Sequence, residues 1–159
     1  MKIVTFPHPS LLKKASKVTV FGPEIKLLLD KMYETMKLSG GIGLAANQVE
    51  LPFSMFVMDG PDGPLYFVNP KIVWKSKAMA QIREGCLSAP GEAVVIARAA
   101  IIKIEFQDET GEKKMKIFND IYSICAQHET DHLDGKAFLE HHSLTKVQRN
   151  QLKSKWGVK

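Results

Sequence analysis

The chain has 159 residues, of which 45% are apolar and 25% are charged, and its formal net charge at pH 7 is +5. This length and balance predict one globular domain with a sizeable core, and no segment approaches the roughly 20 apolar residues that span a membrane. The opening MKIVTFPHPS lacks the apolar stretch of a secretory signal, so we expect a cytoplasmic protein whose cysteines, Cys86 and Cys125, are free thiols.

An amphipathic helix is the first predicted element. In residues 22–41, Pro23 stands near the start, and Gly40 with Gly41 ends the helical pattern. Apolar residues recur at intervals of three and four, so one side of the helix should face the core. The predicted face consists of Ile25, Leu28, Leu29, Met32 and Met36.

Strands are predicted through the middle of the chain. SMFVMD (54–59) and LYFVNP (65–70) are short candidates separated by the turn-rich GPDGP, and KIVWKSKAMAQI (71–82) is a longer and weaker one. The clearest alternation lies in AIIKIEFQD (100–108), which the turn DETG connects to EKKMKIF (112–118) as an antiparallel hairpin.

A second helix is predicted from Asp120 to about Gly135, and it carries an H-E-x-x-H motif. His128 and His132 lie just over one turn apart, so both imidazoles can bind the same metal ion. Apolar residues on their face indicate that this side of the helix is buried. These residues are Ile121, Ile124 and Cys125.

The predicted fold class is α+β, with antiparallel strands packed around the helix that carries the metal ligands. A short basic helix at about 144–156 completes a single domain over residues 1–159. After Glu140 the chain contains basic residues and no acid, which suits ribosomal RNA but also an ordinary solvated helix. Because the predicted second helix ends before residue 136 while Phe138 and Leu139 can still join the core, we expect that truncation near Leu144 leaves most of the activity intact. The basic residues are Lys146, Arg149, Lys153, Lys155 and Lys159.

The motif leaves the third metal ligand open. A metzincin requires histidine at position 138, where this chain has Phe138, and Glu140 follows too soon for a thermolysin-like site. Cys86 lies in REGCLSAP between turns that contain glycine and proline, and Cys125 lies one turn before His128. Both cysteines remain candidates at this point.

Three motifs together resemble those of peptide deformylases. GIGLAANQV (41–49), EGCLS (84–88) and QHETDH (127–132) occur in the order and approximate spacing of that family, and the resemblance extends to about residue 140. It implies a hydrolase that removes the formyl group from the N-formylmethionine of nascent polypeptides. It also implies a Cys-His-His site that typically holds Fe²⁺, for which Zn²⁺, Ni²⁺ or Co²⁺ can substitute.

The resemblance also implies roles for individual residues. Glu129 would be the general acid and base, while Gln48 and the backbone N–H of Leu87 would stabilise the oxyanion. Many bacterial-type members have arginine seven residues after the cysteine, near the bound peptide, whereas this chain has Ala93. The implied metal ligands are Cys86, His128 and His132.

An extended peptide is expected to bind beside the glycine-rich loop. Gly41 and Gly43 would let the loop backbone lie close to the peptide and pair with it as an added strand. Glu84 and Arg98 are expected either to hold the cysteine loop or to form a solvated pair of no consequence. The expected substrate-binding residues, several of which could instead be plain core, are Ile42, Gly43, Gly85, Ile121, Ile124 and Cys125.

Two other functions stay open from sequence. A small metallopeptidase or another amidase could use the same helix. A ribosome- or RNA-binding module could instead use a structural zinc ion, which would require a fourth protein ligand.

Overall fold

The computed structural model describes all 159 residues. It contains three α-helices, and none of them combines the length and apolar character that crossing a membrane requires. The helices are α1 (Pro23–Leu38), α2 (Asp120–Leu133) and α3 (Lys146–Trp156). Short 3₁₀ segments lie at Pro9–Leu12, Ala46–Val49 and Phe138–Glu140.

Seven strands form two antiparallel sheets, which confirms the predicted α+β class. The strands are β1 (Gly43–Ala45), β2 (Met55–Gly60), β3 (Gly63–Lys75), β4 (Met79–Cys86), β5 (Ala89–Ala99), β6 (Ile101–Gln107) and β7 (Lys113–Asn119). The larger sheet has the order β1-β2-β3-β6-β7, and β4 pairs with β5 as a separate hairpin. Strands β1 and β4 therefore each keep one unpaired edge.

Helix α1 matches its prediction closely. Pro23 is its first residue and Glu24 stands in the first turn, where a carboxylate complements the helix dipole. Gly40 adopts a positive φ of 71°, which ends the helix at little steric cost. Of the predicted apolar face only Leu28 is not fully buried.

The β6–β7 hairpin is also confirmed. Ile102, Ile104 and Phe106 alternate with exposed or half-buried polar residues and point into the core. Their side chains form one apolar cluster with Cys125, Ala126 and Leu133 of α2. The helix that carries the H-E-x-x-H motif is therefore fixed against the sheet by its apolar side.

Two predictions for residues 71–99 are wrong. The weak strand at 71–82 is divided, because residues 71–75 end β3 and residues 79–82 begin β4, with a short connection between them. The surroundings of Cys86 are not two turns, since this residue is the last of β4. Strand β5 pairs with β4 along most of its length and was not predicted.

Helix α3 is not a detached basic tail. Leu144 and Val158, which flank it, are buried in an apolar cluster, and Leu152 and Trp156 pack against the same cluster. Lys155 Nζ and Trp156 Nε1 also contact Glu92 Oε2 at 2.6 and 3.1 Å. Because Glu92 belongs to β5, α3 supports the β4–β5 hairpin.

Candidate active site

Three potential metal ligands meet where β4 ends beside α2. Cys86 Sγ lies 3.2 Å from His132 Nε2, which lies 3.2 Å from His128 Nε2. The three donor atoms all lie within 4.8 Å of one another. Cys125 is outside this cluster, so the geometry separates the two cysteines that sequence could not distinguish. We name Cys86, His128 and His132 the metal cluster.

A β-bulge helps to bring Cys86 to this position. The pairing of β4 with β5 shifts register between Gly85 and Cys86, so that Cys86 pairs with Ala89. Bulges turn a side chain away from the direction that regular alternation would give it. The thiol consequently faces α2, which also contacts this hairpin through the bonds of Ser123 and Gln127 with Ala99 of β5.

The donor set fits a divalent transition metal. One thiol and two imidazoles are ligand types that both Fe²⁺ and Zn²⁺ accept, and three protein ligands leave a coordination position open. The rings of Phe6 and Phe138 lie beside those of His132 and His128, with centroids 6.3 and 5.7 Å apart, and give the cluster an apolar side. Phe138 thus occupies an apolar place where a metzincin would have a ligand.

Buried charges support the metal cluster from behind. Glu84 Oε1 lies 2.9 Å from His128 Nδ1, while Arg98 contacts Glu84 Oε2 through Nε at 2.6 Å and Asp131 Oδ2 through Nη1 at 2.8 Å. A hydrogen bond at Nδ1 leaves Nε2 of His128 free for a metal. The Glu84–Arg98 pair is therefore buried and holds the site together, which decides between the two roles left open by sequence.

Burial and hydrogen bonding shift the pKa values of these groups. Desolvation raises the pKa of Glu84, but hydrogen bonds from His128 and Arg98 outweigh it and lower that pKa below its ordinary value. Desolvation lowers the pKa of His128, yet its bonds with Cys86 and Glu84 raise it to about 10. These directions describe the protein without a metal, because a bound cation competes with the His128 proton.

Glu129 faces the metal cluster but is not part of it. Its side chain is buried, and Oε2 has no hydrogen-bond partner within the protein. Desolvation is the main reason why its pKa is raised to about 7. A buried carboxylate with a free oxygen and a pKa near neutrality has the properties of a general acid and base.

Gly43 is required by close packing at this point. A Cβ atom at position 43 would lie 2.5 Å from Glu129 Oε1 and 2.6 Å from Cys125 Sγ, so any side chain would displace one of them. Cys125 itself is a buried wall, and burial raises the pKa of its thiol well above the ordinary value. It behaves as a small apolar residue.

Gln48 is held so that its amide N–H groups face the metal cluster. It lies on the 3₁₀ segment after β1, where its Oε1 accepts a hydrogen bond of 2.9 Å from the Ala45 N–H. Its Nε2 lies 3.1 Å from Ser88 Oγ and 3.7 Å from Cys86 Sγ. Leu87 is the residue between these two partners and lines the same cavity.

A cavity of about 720 Å³, which we call the cleft, is lined by Gln48, Cys86, Leu87, His128 and Glu129. One wall of the cleft is the segment that leads into β1, and the opposite wall is the β4–β5 hairpin. The expected substrate-binding residues that line it are Ile42, Gly43, Gly85, Ile121, Ile124 and Cys125.

The burial predicted for one of these residues is wrong. Ile121 lies in the first turn of α2 and is 43% exposed, so it forms the rim of the cleft rather than the buried side of the helix. The prediction also missed several lining residues from β4 and β5. Among these are Ile82, Arg83, Pro90 and Glu92, whose positions depend on a hairpin that was not predicted.

Comparisons with known proteins agree with this geometry. The model of the polypeptide deformylase family matches residues 1–149. The chain belongs to this family. It is 38% identical to a peptide deformylase of Phenylobacterium zucineum over 94% of the chain and 90% of that protein. It is 39% identical to one of Nitrosococcus oceani over 97% of the chain and 93% of that protein.

Solved deformylase structures share the whole fold. The peptide deformylase of Plasmodium falciparum superposes with a TM-score of 0.90 at 34% identity and covers 98% of this chain and 93% of its own. The enzyme of Synechococcus elongatus, solved in complex with actinonin, also gives 0.90 at 30% identity and covers 99% and 86%. The chain is therefore an enzyme of a metal-dependent hydrolase family, as its three motifs predict.

Proposed function

We propose that this chain removes the N-formyl group from the N-terminal formylmethionine of nascent polypeptides, with the metal cluster at the reaction centre. The observation that carries this proposal is the juxtaposition of the metal cluster, the unpartnered Glu129 carboxylate and the Gln48 amide at one end of the cleft. Family membership supports the reaction, and the donor atoms support a metal there.

We further propose Fe²⁺ as the native metal, with Zn²⁺, Ni²⁺ or Co²⁺ as substitutes. When bound, such an ion supplies a Lewis acid and lowers the pKa of water toward neutrality. A thiolate ligand donates more charge than a third imidazole would, so more of the oxyanion stabilisation falls to the protein. Glu84 and Arg98 fix the orientation of His128 for this role.

Glu129 is proposed to move the proton. Its free Oε2 takes the proton of the attacking water and returns it to the amine that leaves, which are the two transfers that amide hydrolysis requires. Gln48 Nε2 and the Leu87 N–H are proposed to donate to the carbonyl oxygen as negative charge develops there. Such donors contribute most when they are held in place before the reaction. The hydrogen bond from the Ala45 N–H to Gln48 Oε1 holds the Gln48 amide in this way.

The peptide is proposed to lie between two free strand edges. β1 pairs only with β2, and β4 pairs only with β5, so each presents unpaired backbone groups toward the cleft. A formylated peptide in an extended conformation can pair with both edges as an added strand. Its methionine side chain would then enter the apolar part of the cleft. That part comprises Ile42, Ile121, Ile124 and Cys125.

A comparison of two acyl groups tests the proposed reaction. Formyl-Met-Ala-Ser and acetyl-Met-Ala-Ser differ only at the acyl carbon, so release of formate and of acetate can be measured under the same conditions. Rapid release of formate with little acetate is the expected result. Comparable loss of acetyl would instead assign the chain to the broader amidases.

We propose a single cytoplasmic catalytic domain over residues 1–159 whose α3 end contacts the ribosome. Lys153 pairs with Glu140 at 2.9 Å and Lys155 with Glu92 at 2.6 Å, so these charges are partly committed within the chain. Lys146 and Lys159 form no ion pair and are the better contacts for RNA. Co-sedimentation with ribosomes should weaken in the Lys146→Glu, Lys159→Glu double variant, and unchanged binding would refute the contact.

A further inference from the structure

The cleft contains one exposed cation that has no ion-pair partner within the chain. Arg83 is an exposed residue of β4 and lines the cleft. Two of the acids that line the cleft pair with other cations: the buried Glu84 pairs with Arg98, and Glu92 pairs with Lys155, although the charge of Arg83 also contributes to lowering the pKa of Glu92. Arg83 forms no ion pair and no side-chain hydrogen bond within the chain, so its guanidinium remains available to a ligand.

The register of the hairpin leaves space around this guanidinium. Arg83 pairs with Val95 and Gly85 pairs with Ala93, so the four residues share one face of the β4–β5 hairpin. Neither Gly85 nor Ala93 has a side chain that could cover Arg83 or compete for its hydrogen bonds. Its five N–H donors in a planar fork match the geometry of a carboxylate.

The position of Arg83 along β4 indicates which part of a peptide it meets. It stands three positions before Cys86, and strands rise by roughly 3.3 Å per residue, so the two residues lie about 10 Å apart along the strand. An extended peptide whose formyl group is at the metal cluster advances by the same rise. Its third residue therefore lies nearest to Arg83.

We infer that Arg83 is a specificity-determining residue that binds a carboxylate at the third residue of the formylated peptide. The inference rests on the proposed function, because it needs the formyl group at the metal cluster. The carboxylate can be an Asp or Glu side chain or, in a tripeptide, the end of the chain itself. Glutamate at this position should raise kcat/KM mainly through a lower KM, since Arg83 is remote from the reacting atoms.

Amidated peptides isolate the side-chain carboxylate. For formyl-Met-Ala-Glu-amide relative to formyl-Met-Ala-Gln-amide, we expect kcat/KM to be about threefold to fivefold higher at low salt, which is the range of a solvent-exposed ion pair. Arg83→Gln should bring the ratio close to one, and Arg83→Glu should invert it. The control Lys31→Glu changes the net charge by the same amount as Arg83→Glu, at an exposed position of α1 outside the cleft, and should keep the wild-type ratio.

A second pair of peptides tests the chain-end carboxylate. Formyl-Met-Ala-Ser as the free acid should react faster than its amide in the wild type, and this preference should also disappear in Arg83→Gln. The inference would be overturned if the wild type showed neither preference, or if both preferences persisted in Arg83→Gln. The proposed function would still stand in either case, as long as formate is released. Failure of every peptide to release formate would overturn both.

Discussion

At the scale of single residues, the proposed mechanism depends on Glu129 more than on any other carboxylate. Glu84 is equally buried, but both of its oxygens are bonded to Arg98 or His128. Glu129 keeps Oε2 free beside the metal cluster. The difference between a structural and a reactive acid in this site is therefore a difference in hydrogen-bond partners.

The substitution Glu129→Gln should abolish most of the activity while leaving the metal in place. The amide has nearly the same shape but cannot accept the proton, and loss of general acid and base catalysis costs on the order of 10²–10⁴-fold in rate. Formate release by protein of measured metal content checks this. The control Glu34→Gln alters an exposed acid of α1 and should have no effect. Near-normal turnover by a metal-replete Glu129→Gln enzyme would remove Glu129 from the mechanism.

The substitution Gln48→Leu should lower kcat by roughly 10²–10³-fold, the cost of losing one oxyanion donor. KM should change less, because the oxyanion forms only after the ground state. Leucine also leaves the Ala45 N–H without its partner, so thermal unfolding should be measured alongside steady-state kinetics. If KM alone rises, Gln48 binds substrate instead of stabilising the transition state.

Sequence reasoning could predict the two histidines and Glu129 as site residues because they lie within five consecutive residues of one helix. It could not choose between Cys86 and Cys125 from spacing, since Cys86 is 46 residues away from His132 and reaches it only through the tertiary fold. Arg83 was missed for the same reason, because nothing local distinguishes it from any other exposed arginine on a strand.

At the scale of secondary-structure elements, the β4–β5 hairpin is the part that sequence predicted worst. Strand β5 includes Gly91 at a positive φ of 76° and a register shift against β4, so its alternation of buried and exposed residues is irregular. The β6–β7 hairpin, by contrast, keeps one register over seven residue pairs, buried residues recur at every second position of β6, and the hairpin was predicted correctly. Regular alternation of burial therefore accompanies β6 in the larger sheet, while the irregular β4–β5 hairpin forms a wall of the cleft.

The turn between β6 and β7 offers a test of stability against pH. Desolvation raises the pKa of Asp108, but hydrogen bonds from Thr110, Lys114 and the Glu112 N–H outweigh it and lower that pKa to about 2, below the ordinary 3.8. Stability from the ionised form is therefore full above pH 3.8 and is lost as the pH falls through about 2.

Asp108→Asn should consequently lower the free energy of unfolding at pH 7 by about 1 kcal/mol, as expected for charged hydrogen bonds at a partly exposed site. The difference from wild type should shrink between pH 4 and pH 2 in urea titrations. Asp62→Asn, in the exposed turn before β3, is the matched control and should show no such trend. A difference that is constant or grows toward low pH would contradict the assigned hydrogen bonds.

Because α3 packs on the rest of the chain, truncation near Leu144 should be more damaging than we expected from the sequence. Removing residues after Leu144 deletes Trp156 and Val158 from an apolar cluster and frees Glu92, so the free energy of unfolding should fall by about 3 kcal/mol or more. Activity should fall with it at higher temperature, because Glu92 lines the cleft. Val147→Ala, at a position 65% exposed on α3, should be nearly neutral. An equally stable and active truncated protein would show that α3 is peripheral.

At the scale of the whole molecule, the fold places two unrelated strand edges opposite each other across helix α2. The five-stranded sheet supplies β1, the separate hairpin supplies β4, and α2 forms the floor of the cleft between them. The fold class and helix α2 could be predicted from the sequence because the periodicity of each helix and strand is a local pattern. The arrangement of the two sheets depends on packing between distant segments, and only the structure places them.

The most direct test of the proposed active site compares metal binding by the two cysteine variants. Ferrous protein prepared without oxygen should be assayed for iron per chain and for formate released from formyl-Met-Ala-Ser. Cys86→Ser should lose iron and activity together, with a loss of affinity greater than the roughly 10–100-fold that removal of an outer partner costs. Cys125→Ser should retain both, because its thiol lies in the wall of the cleft outside the metal cluster. Loss of iron by Cys125→Ser with retention by Cys86→Ser would contradict the assignment.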